Sequence, residues 1–161
     1  MSTAPSIAIR PAREGEAELL REIAVASKNH WDYGLERVRA WADGWDLERV
    51  LREEQVYVAE AGGEAAGWAA LIPREEIWWL DDLWILPAWI GRGVGRALFR
   101  HCAELARGAG AARLEWESDP NAVGFYERMG GRYVRDSEAT EWGRILPVMA
   151  LELASSSAKP A

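Results

Sequence analysis

The chain has 161 residues, one cysteine and a formal net charge of −7 at pH 7, and its length fits one globular core of ~100–200 residues. The lone Cys102 excludes a disulfide framework and a zinc site built on paired cysteines, and no stretch approaches the ~18 apolar residues of a membrane helix. The acidic balance argues against nonspecific nucleic-acid binding, which needs a basic surface.

Residues 1–153 are expected to form a single domain, because no linker or internal repeat divides them. The Ser- and Ala-rich residues 154–161 are predicted to be a disordered tail. The start of the chain lacks the basic and apolar runs of a signal peptide, which favours the cytoplasm. Ten tryptophans stand against two phenylalanines, and because tryptophan is costly to bury without a partner for its N–H, some should line a pocket or an interface.

Hydrophobic periodicity and turn residues predict the elements in chain order. Gly62-Gly63 marks a hairpin, because glycine allows the positive φ angles of a tight turn. The predicted elements are strand 7–10, helix 14–26, an aromatic loop 27–34, a helical region 35–54 interrupted near 43–44, strands 55–61, 64–72 and 77–86, a helix from the glycines at 91–95 to 107, strand 113–117, helix 122–129, and strands 132–135 and 145–153. Strands alternating with helices in the second half indicate one α/β domain around a mixed sheet.

The strongest feature for chemistry is a glycine-rich loop between a strand and a helix, Gly91-Arg92-Gly93-Val94-Gly95. The first turn of a helix offers free backbone N–H groups and the positive end of a dipole, and glycines let an anion come close. This arrangement predicts a phosphate site. The P-loop pattern is disfavoured because no lysine follows, and the dinucleotide fingerprint because the spacing is G-x-G-x-G.

These residues resemble a known family. The run from Leu83 to Leu98 is similar to the acetyl-CoA-binding motif of the GNAT (GCN5-related) N-acetyltransferases, and the run from Asn121 to Gly130 resembles that family's later Asn…Phe-Tyr-Glu block. Two departures stand out: Ile90 replaces the usual Gln or Arg that begins the loop, and Gly131 replaces a Phe. The first should spare phosphate binding, which uses backbone N–H groups, and the second bears on packing.

The resemblance implies a mixed, mostly antiparallel sheet with helices on both faces, whose splayed central strands hold acetyl-CoA as co-substrate. It implies that the N–H of Leu83 lies near the thioester carbonyl, an oxyanion-hole role, and that Asn121 contacts pantetheine. The full set of cofactor-binding residues implied is Leu83, Ile85, Gly91, Arg92, Gly93, Val94, Gly95, Arg96, Asn121 and Tyr126.

Acetyl transfer to an amine needs a base for the amine and an acid for the leaving thiolate. Tyr126 matches the family tyrosine that reaches the sulfur and is the candidate acid; the alternative is a packed aromatic residue. Asp81 is the candidate base, because it lies two residues before Leu83 on the same strand face.

Asp82, a water relay and Glu115 stay open as alternatives for the base. Glu115 lies at a place similar to the strand glutamate that some family members use as a base to acetylate protein N-termini. The other interpretation of Asp81 and Asp82 is a structural ion pair or a water-bound carboxylate, with Asp82 bracing a helix start or an arginine, and that of Glu115 and Glu117, which share one face, is that one of them is simply solvated.

The acceptor is expected beside the first helical loop, where His30, Trp31 and Tyr33 can hold an amine. A purely structural loop is the alternative. Residues 137–147, with Trp142 and Arg144, are a second acceptor-side candidate or an interface. Cys102 is expected to be an inert core thiol.

The sequence thus predicts an acetyl-CoA-dependent N-acetyltransferase that acts on a small-molecule primary amine by direct transfer in a ternary complex. No metal, nucleic acid or membrane is expected, and a homodimer is suggested by family habit alone. The alternatives are a catalytically silent acyl-CoA-binding sensor, a protein N-terminal acetyltransferase and a protein that binds another nucleotide.

Overall fold

The computed structural model describes residues 6–153, without the side chain of Glu141; the predicted tail at 154–161 lies outside this range. The helices and strands follow the predicted order. They are β1 (Ile7–Pro11), α1 (Ala17–Asn29), α2 (Leu35–Asp43), α3 (Leu47–Glu53), β2 (Gln55–Ala61), β3 (Glu64–Ile72), β4 (Ile77–Ile85), α4 (Val94–Gly108), β5 (Arg113–Glu117), α5 (Val123–Arg128), β6 (Arg132–Asp136) and β7 (Pro147–Glu152).

The seven strands form a mixed, mostly antiparallel open sheet in the order β1-β2-β3-β4-β5-β7-β6, which confirms the predicted fold class. The β4–β5 pair is parallel, whereas β1–β2, β2–β3, β5–β7 and β6–β7 are antiparallel. The β2–β3 hairpin has the predicted bounds, with φ angles of 60° and 83° at Gly62 and Gly63.

One boundary differs from the prediction in a way that matters for the site. The first helix runs on to Asn29, three residues beyond its predicted end, so Ser27 and Lys28 are helical rather than part of a loop. No glycine or proline stops the helix there, and both side chains are buried. The chain leaves the helix only near Asp32 and Gly34, which adopt positive φ angles.

The described chain divides into two compact units, the first comprising residues 6–71 and 82–101 and the second residues 72–81 and 102–153. In the first unit, the core packs α1 and α3 on β2 and β3. Its buried members include Leu20, Ile23, Leu47, Val58 and Trp68. The indole N–H of Trp68 donates to the carbonyl of Leu20 at 2.9 Å, which meets the hydrogen-bonding need of this buried ring.

In the second unit, Trp116 is buried among β5, β7 and α5, and its ring centroid lies 4.9 Å from that of Tyr126. The structure explains why position 131 is a glycine and not the phenylalanine of the family that the sequence resembles. A Cβ on Gly131 would lie 2.8 Å from the ring of Trp116, so Trp116 fills this space and leaves no room for a side chain at 131. Among the helices of residues 6–153, none has the length and apolar character needed to cross a lipid bilayer.

Candidate active site

The free edge of β4 is the first component of the site. The ladder between β4 and β5 ends at the pair Trp79–Glu115, and β4 continues to Ile85. The N–H of Leu86 donates to Ala66 on β3 at 2.9 Å. Because backbone groups alternate along a strand, the N–H groups of Leu83 and Ile85 point away from β3. This edge can therefore offer hydrogen bonds to an extended ligand.

The glycine loop follows directly in the same unit. Gly91 and Gly93 have φ angles of 80° and 93°, and no atom outside the adjacent residues lies within 4 Å of a Cβ built on Gly91. The 15-residue helix α4 then begins at Val94. Successive N–H groups turned to one side and a helix N-terminus can form a concave anion site. Binding of a pyrophosphate by this loop stays a prediction.

The loop is held by the β2–β3 hairpin. The indole N–H of Trp89 donates to a carboxylate oxygen of Glu64 at 3.3 Å, and its ring would lie 3.2 Å from a Cβ on Gly62. The guanidinium of Arg92 stacks over the same ring at 5.4 Å. Ile90, which replaces the family's polar residue, is 40% exposed. The loop conformation therefore does not depend on a side chain at position 90.

The end of α1 contacts the same part of β4. The hydroxyl of Ser27 accepts the N–H of Ile85 at 3.3 Å. The ammonium of Lys28, a residue only 3% exposed, lies 4.4 Å from the ring centroid of Trp41 and 5.5 Å from that of Trp84. Sequence reasoning missed both residues because it placed them in a loop. The signal that could have identified them is the unbroken helical pattern through Asn29.

The predicted acceptor residues lie just beyond this helix end. His30 and Trp31 are exposed, with ring centroids 4.7 Å apart, whereas Tyr33 is half-buried with its ring 5.8 Å from the ammonium of Lys28. The structure therefore brings Tyr33, Trp41 and Trp84 around Lys28 and places His30 and Trp31 at the surface. Their contact with an acceptor stays a prediction.

The two strand carboxylates have different surroundings. Asp81 is exposed, as a base that receives a proton from a substrate needs to be. Asp82 accepts the indole N–H of Trp84 at 2.9 Å, and its carboxylate oxygen lies within 4.8 Å of one from Glu54. Sequence reasoning expected Asp82 to contact an arginine or a helix start. A partner of its carboxylate is instead Trp84, two residues later on the same strand.

In the second unit, the hydroxyl-bearing ring of Tyr126 is packed from two sides. Tyr126 is 7% exposed, and Trp116 and Phe125 approach its ring centroid to 4.9 and 5.1 Å. Removing the hydroxyl alone would leave this packing intact. The ring of the predicted acid is thus packed in place, while its role in proton transfer stays a prediction.

Asn121, the predicted pantetheine contact, is oriented by its neighbour. One carboxylate oxygen of Asp119 accepts both the backbone N–H and the side-chain amide of Asn121, at 2.8 and 2.9 Å. The other oxygen lies 3.7 Å from Arg144, whose guanidinium also stacks over Trp142 at 5.2 Å. Trp142 and Arg144, predicted on the acceptor side or at an interface, therefore belong to the network that orients Asn121.

Glu115, the rival base, is buried between two arginines. It is 2% exposed, and its two oxygens accept from Arg113 at 2.8 Å and from Arg135 at 2.9 Å. Burial alone would raise the pKa of this carboxyl, but the hydrogen bonds and charges of Arg135 and Arg113 outweigh it and lower the pKa. Of the two glutamates on this strand face, Glu117 is the exposed one. Glu115 is a buried, paired carboxylate with a lowered pKa, which is a poor base.

We expect Glu115→Gln to lower the free energy of unfolding by about 1–3 kcal/mol at pH 7, because both arginines lose a charged partner. Since the folded-state pKa of Glu115 is lowered, its contribution is present above pH 4.5 and is lost as the pH falls through that pKa. Urea unfolding should therefore show a difference between wild type and variant that shrinks as the pH drops from 7 to below 4.5.

The control is Glu127→Gln, an exposed glutamate of the same unit, for which a change within about 0.5 kcal/mol is expected. Equal losses for the two variants would contradict a structural role specific to Glu115.

Comparison with known proteins now assigns a class to this fold and site. The model of the Acetyltransferase (GNAT) family matches residues 17–131, so the chain belongs to this family. The match contains the free edge of β4, the glycine loop, Asn121 and Tyr126.

Curated relatives match about half of the chain. Streptothricin acetyltransferase from Streptomyces lavendulae is 37% identical over 99 residues, which is 55% of this chain and 51% of that protein. Thialysine N-epsilon-acetyltransferase from Caenorhabditis elegans is 31% identical over 94 residues, 53% of this chain and 58% of that protein. The chain thus spans little more than half the length of these relatives.

Solved structures match over almost the whole chain. A GCN5-related N-acetyltransferase from Rhodopseudomonas palustris has a TM-score of 0.78 at 25% identity, covering 95% of this chain and 99% of that one. The PaiA N-acetyltransferase from Thermoplasma acidophilum, solved with coenzyme A, has a TM-score of 0.76 at 20% identity and covers 91% and 99%. At 20% identity, this second likeness concerns the fold.

Proposed function

We propose that the protein transfers the acetyl group of acetyl-CoA to a primary amine of a small molecule, by direct attack in a ternary complex. The observation that carries this proposal is the sequence of three groups within one unit: a β4 edge whose N–H groups at Leu83 and Ile85 point away from β3, the positive-φ glycines 91 and 93, and the N-terminus of α4. Together they suit acetyl-CoA, whose extended pantetheine arm would lie along β4 and whose pyrophosphate would lie at the glycine loop.

The chemistry assigns a task to each candidate residue. The N–H of Leu83 would donate to the thioester oxygen as negative charge develops there. Asp81, directly or through water, would take the proton that the amine nitrogen loses as its bond to the acyl carbon forms. Tyr126 would donate its hydroxyl proton to the sulfur as the carbon–sulfur bond breaks, and solvent would return a proton to Tyr126.

The surroundings of Glu115 weaken one of the alternatives. The carboxylate that would link this chain to acetyltransferases of protein N-termini is paired with Arg113 and Arg135, so a small-molecule acceptor is favoured. The silent sensor is disfavoured by the presence of Asp81 and Tyr126. We also propose a cytoplasmic location and a homodimer.

The deciding experiment is release of thiol from acetyl-CoA with a panel of amines, amino acids, polyamines and short peptides. Cys102 is fully buried, and burial raises its pKa to about 12, so we expect its thiol to react slowly with thiol reagents. We expect acceptor-dependent release by wild type that falls in Asp81→Asn. Binding of acetyl-CoA without release for any acceptor would favour the sensor, release only with peptides would favour the N-terminal acetyltransferase, and absence of binding would overturn the proposal.

A further inference from the structure

The hydrogen bond between Ser27 and Ile85 occupies a donor that the proposed function needs. Ile85 lies on the part of β4 beyond its last ladder pair with β5, and its N–H points away from β3. Ile85 is half-buried, and an N–H that is shielded from water and has no acceptor is costly. The hydroxyl of Ser27, a residue 8% exposed, meets that need from the last turn of α1.

We propose that Ser27 is an internal substitute for the cofactor: its hydroxyl holds the N–H of Ile85 in the free protein and yields this donor to a pantetheine amide carbonyl when CoA binds. The proposal rests on the proposed function. Ser27 thus satisfies this donor in the free protein and competes with the ligand for it.

The contact geometry suits an exchangeable bond. At 3.3 Å, the separation between the Ser27 oxygen and the Ile85 nitrogen exceeds the usual 2.7–3.2 Å range for N–H···O bonds, so the bond is easily replaced. A serine side chain moves by rotation about one torsion angle. In a helix its hydroxyl can then donate to the carbonyl four residues earlier, here that of Ile23, so the release leaves no polar group unsatisfied.

The next residue fixes the helix end while Ser27 moves. The buried ammonium of Lys28 lies over the ring of Trp84, the neighbour of Ile85. Consecutive residues of α1 therefore contact consecutive residues of β4, one through a side chain and one through the backbone. Exchange at Ile85 can occur without displacing α1, because the Lys28 contact does not involve the Ile85 N–H.

The proposal predicts the sign of an affinity change. Ser27→Ala removes the competitor for the Ile85 N–H, so we expect CoA to bind about 2- to 10-fold more tightly. Adenosine 3′,5′-bisphosphate, which lacks the pantetheine arm, should bind wild type and variant equally. Ser27→Thr keeps the hydroxyl and should bind CoA as wild type does. Isothermal titration of each protein with both ligands measures these constants.

Amide exchange of Ile85, followed by NMR, supplies a readout that does not depend on activity. We expect slow exchange in free wild type, faster exchange in free Ser27→Ala, and slow exchange in both with CoA bound. If Ser27→Ala does not fold, Ser27→Cys offers a weaker acceptor of similar size and should shift both readouts in the same direction.

The possible outcomes distinguish failure of the Ser27 proposal from failure of the proposed function. Wild type that binds neither ligand would refute the proposed function. Wild type that binds CoA, with folded variants that bind it equally or more weakly, would overturn the role of Ser27 alone. Continued protection of Ile85 in free Ser27→Ala would also overturn it.

Discussion

Replacing Tyr126 with phenylalanine is expected to lower kcat for acetyl transfer about 100-fold or more, because general acid catalysis contributes about 10²–10⁴-fold. The ring stays, so its packing on Trp116 and Phe125 is kept and the fold should be unchanged. The dissociation constant for acetyl-CoA should change less than about threefold, since the proposed task of the hydroxyl is protonation of the leaving thiolate and not cofactor binding. Steady-state kinetics and a binding titration measure the two effects separately.

The matched control is Tyr133→Phe. Tyr133 is 58% exposed, and its hydroxyl donates to Asp136 at 3.1 Å, so this variant removes a phenol hydroxyl from the same unit outside the candidate site. It should keep wild-type kcat. A Tyr126→Phe enzyme that keeps wild-type kcat would exclude Tyr126 as the acid and make it the packed aromatic residue that the sequence left as an alternative.

The sequence predicted the elements best where local residues decide the conformation. Gly62-Gly63 located the end of β2 and the start of β3 correctly, because few other residues adopt the φ angles of that turn. The helix end was misplaced because Ser27 and Lys28 are neutral in local preference. Their burial against β4, 58 positions later in the chain for the Ser27–Ile85 contact, decides that they are helical, and the local sign of it is that the helical pattern continues through Asn29.

The candidate site was predictable as far as it consists of one segment. Leu83 to Gly95 supply both the strand edge and the anion loop, so a single motif located them. Glu115 could not be interpreted from its own strand, because one of its two arginines comes from β6. The same holds for Asn121, whose orientation depends on Asp119 and, through it, on Arg144 in the loop before β7.

Gly67 in β3 is another residue whose role depends on a distant segment of the chain, and it gives the second large prediction. A Cβ on Gly67 would lie 2.7 Å from the carbonyl oxygen of Trp84, 2.9 Å from the side chain of Ile85 and 3.3 Å from that of Leu98. The backbone oxygen cannot move without displacing β4, so the absence of a side chain sets the separation of β3 from the segment that holds the proposed cofactor donors.

We therefore expect Gly67→Ala to lower the free energy of unfolding by about 1–3 kcal/mol, the usual cost of overpacking a core. It should also weaken CoA binding, because the shift of Trp84 and Ile85 misplaces the N–H groups on the free edge. Gly44→Ala is the control, since no atom lies within 4 Å of its Cβ and its φ is −85°; there the same change should stabilise by about 0.4–1 kcal/mol. Urea unfolding and CoA titration test both variants, and wild-type stability and affinity in Gly67→Ala would show that β3 does not position this edge.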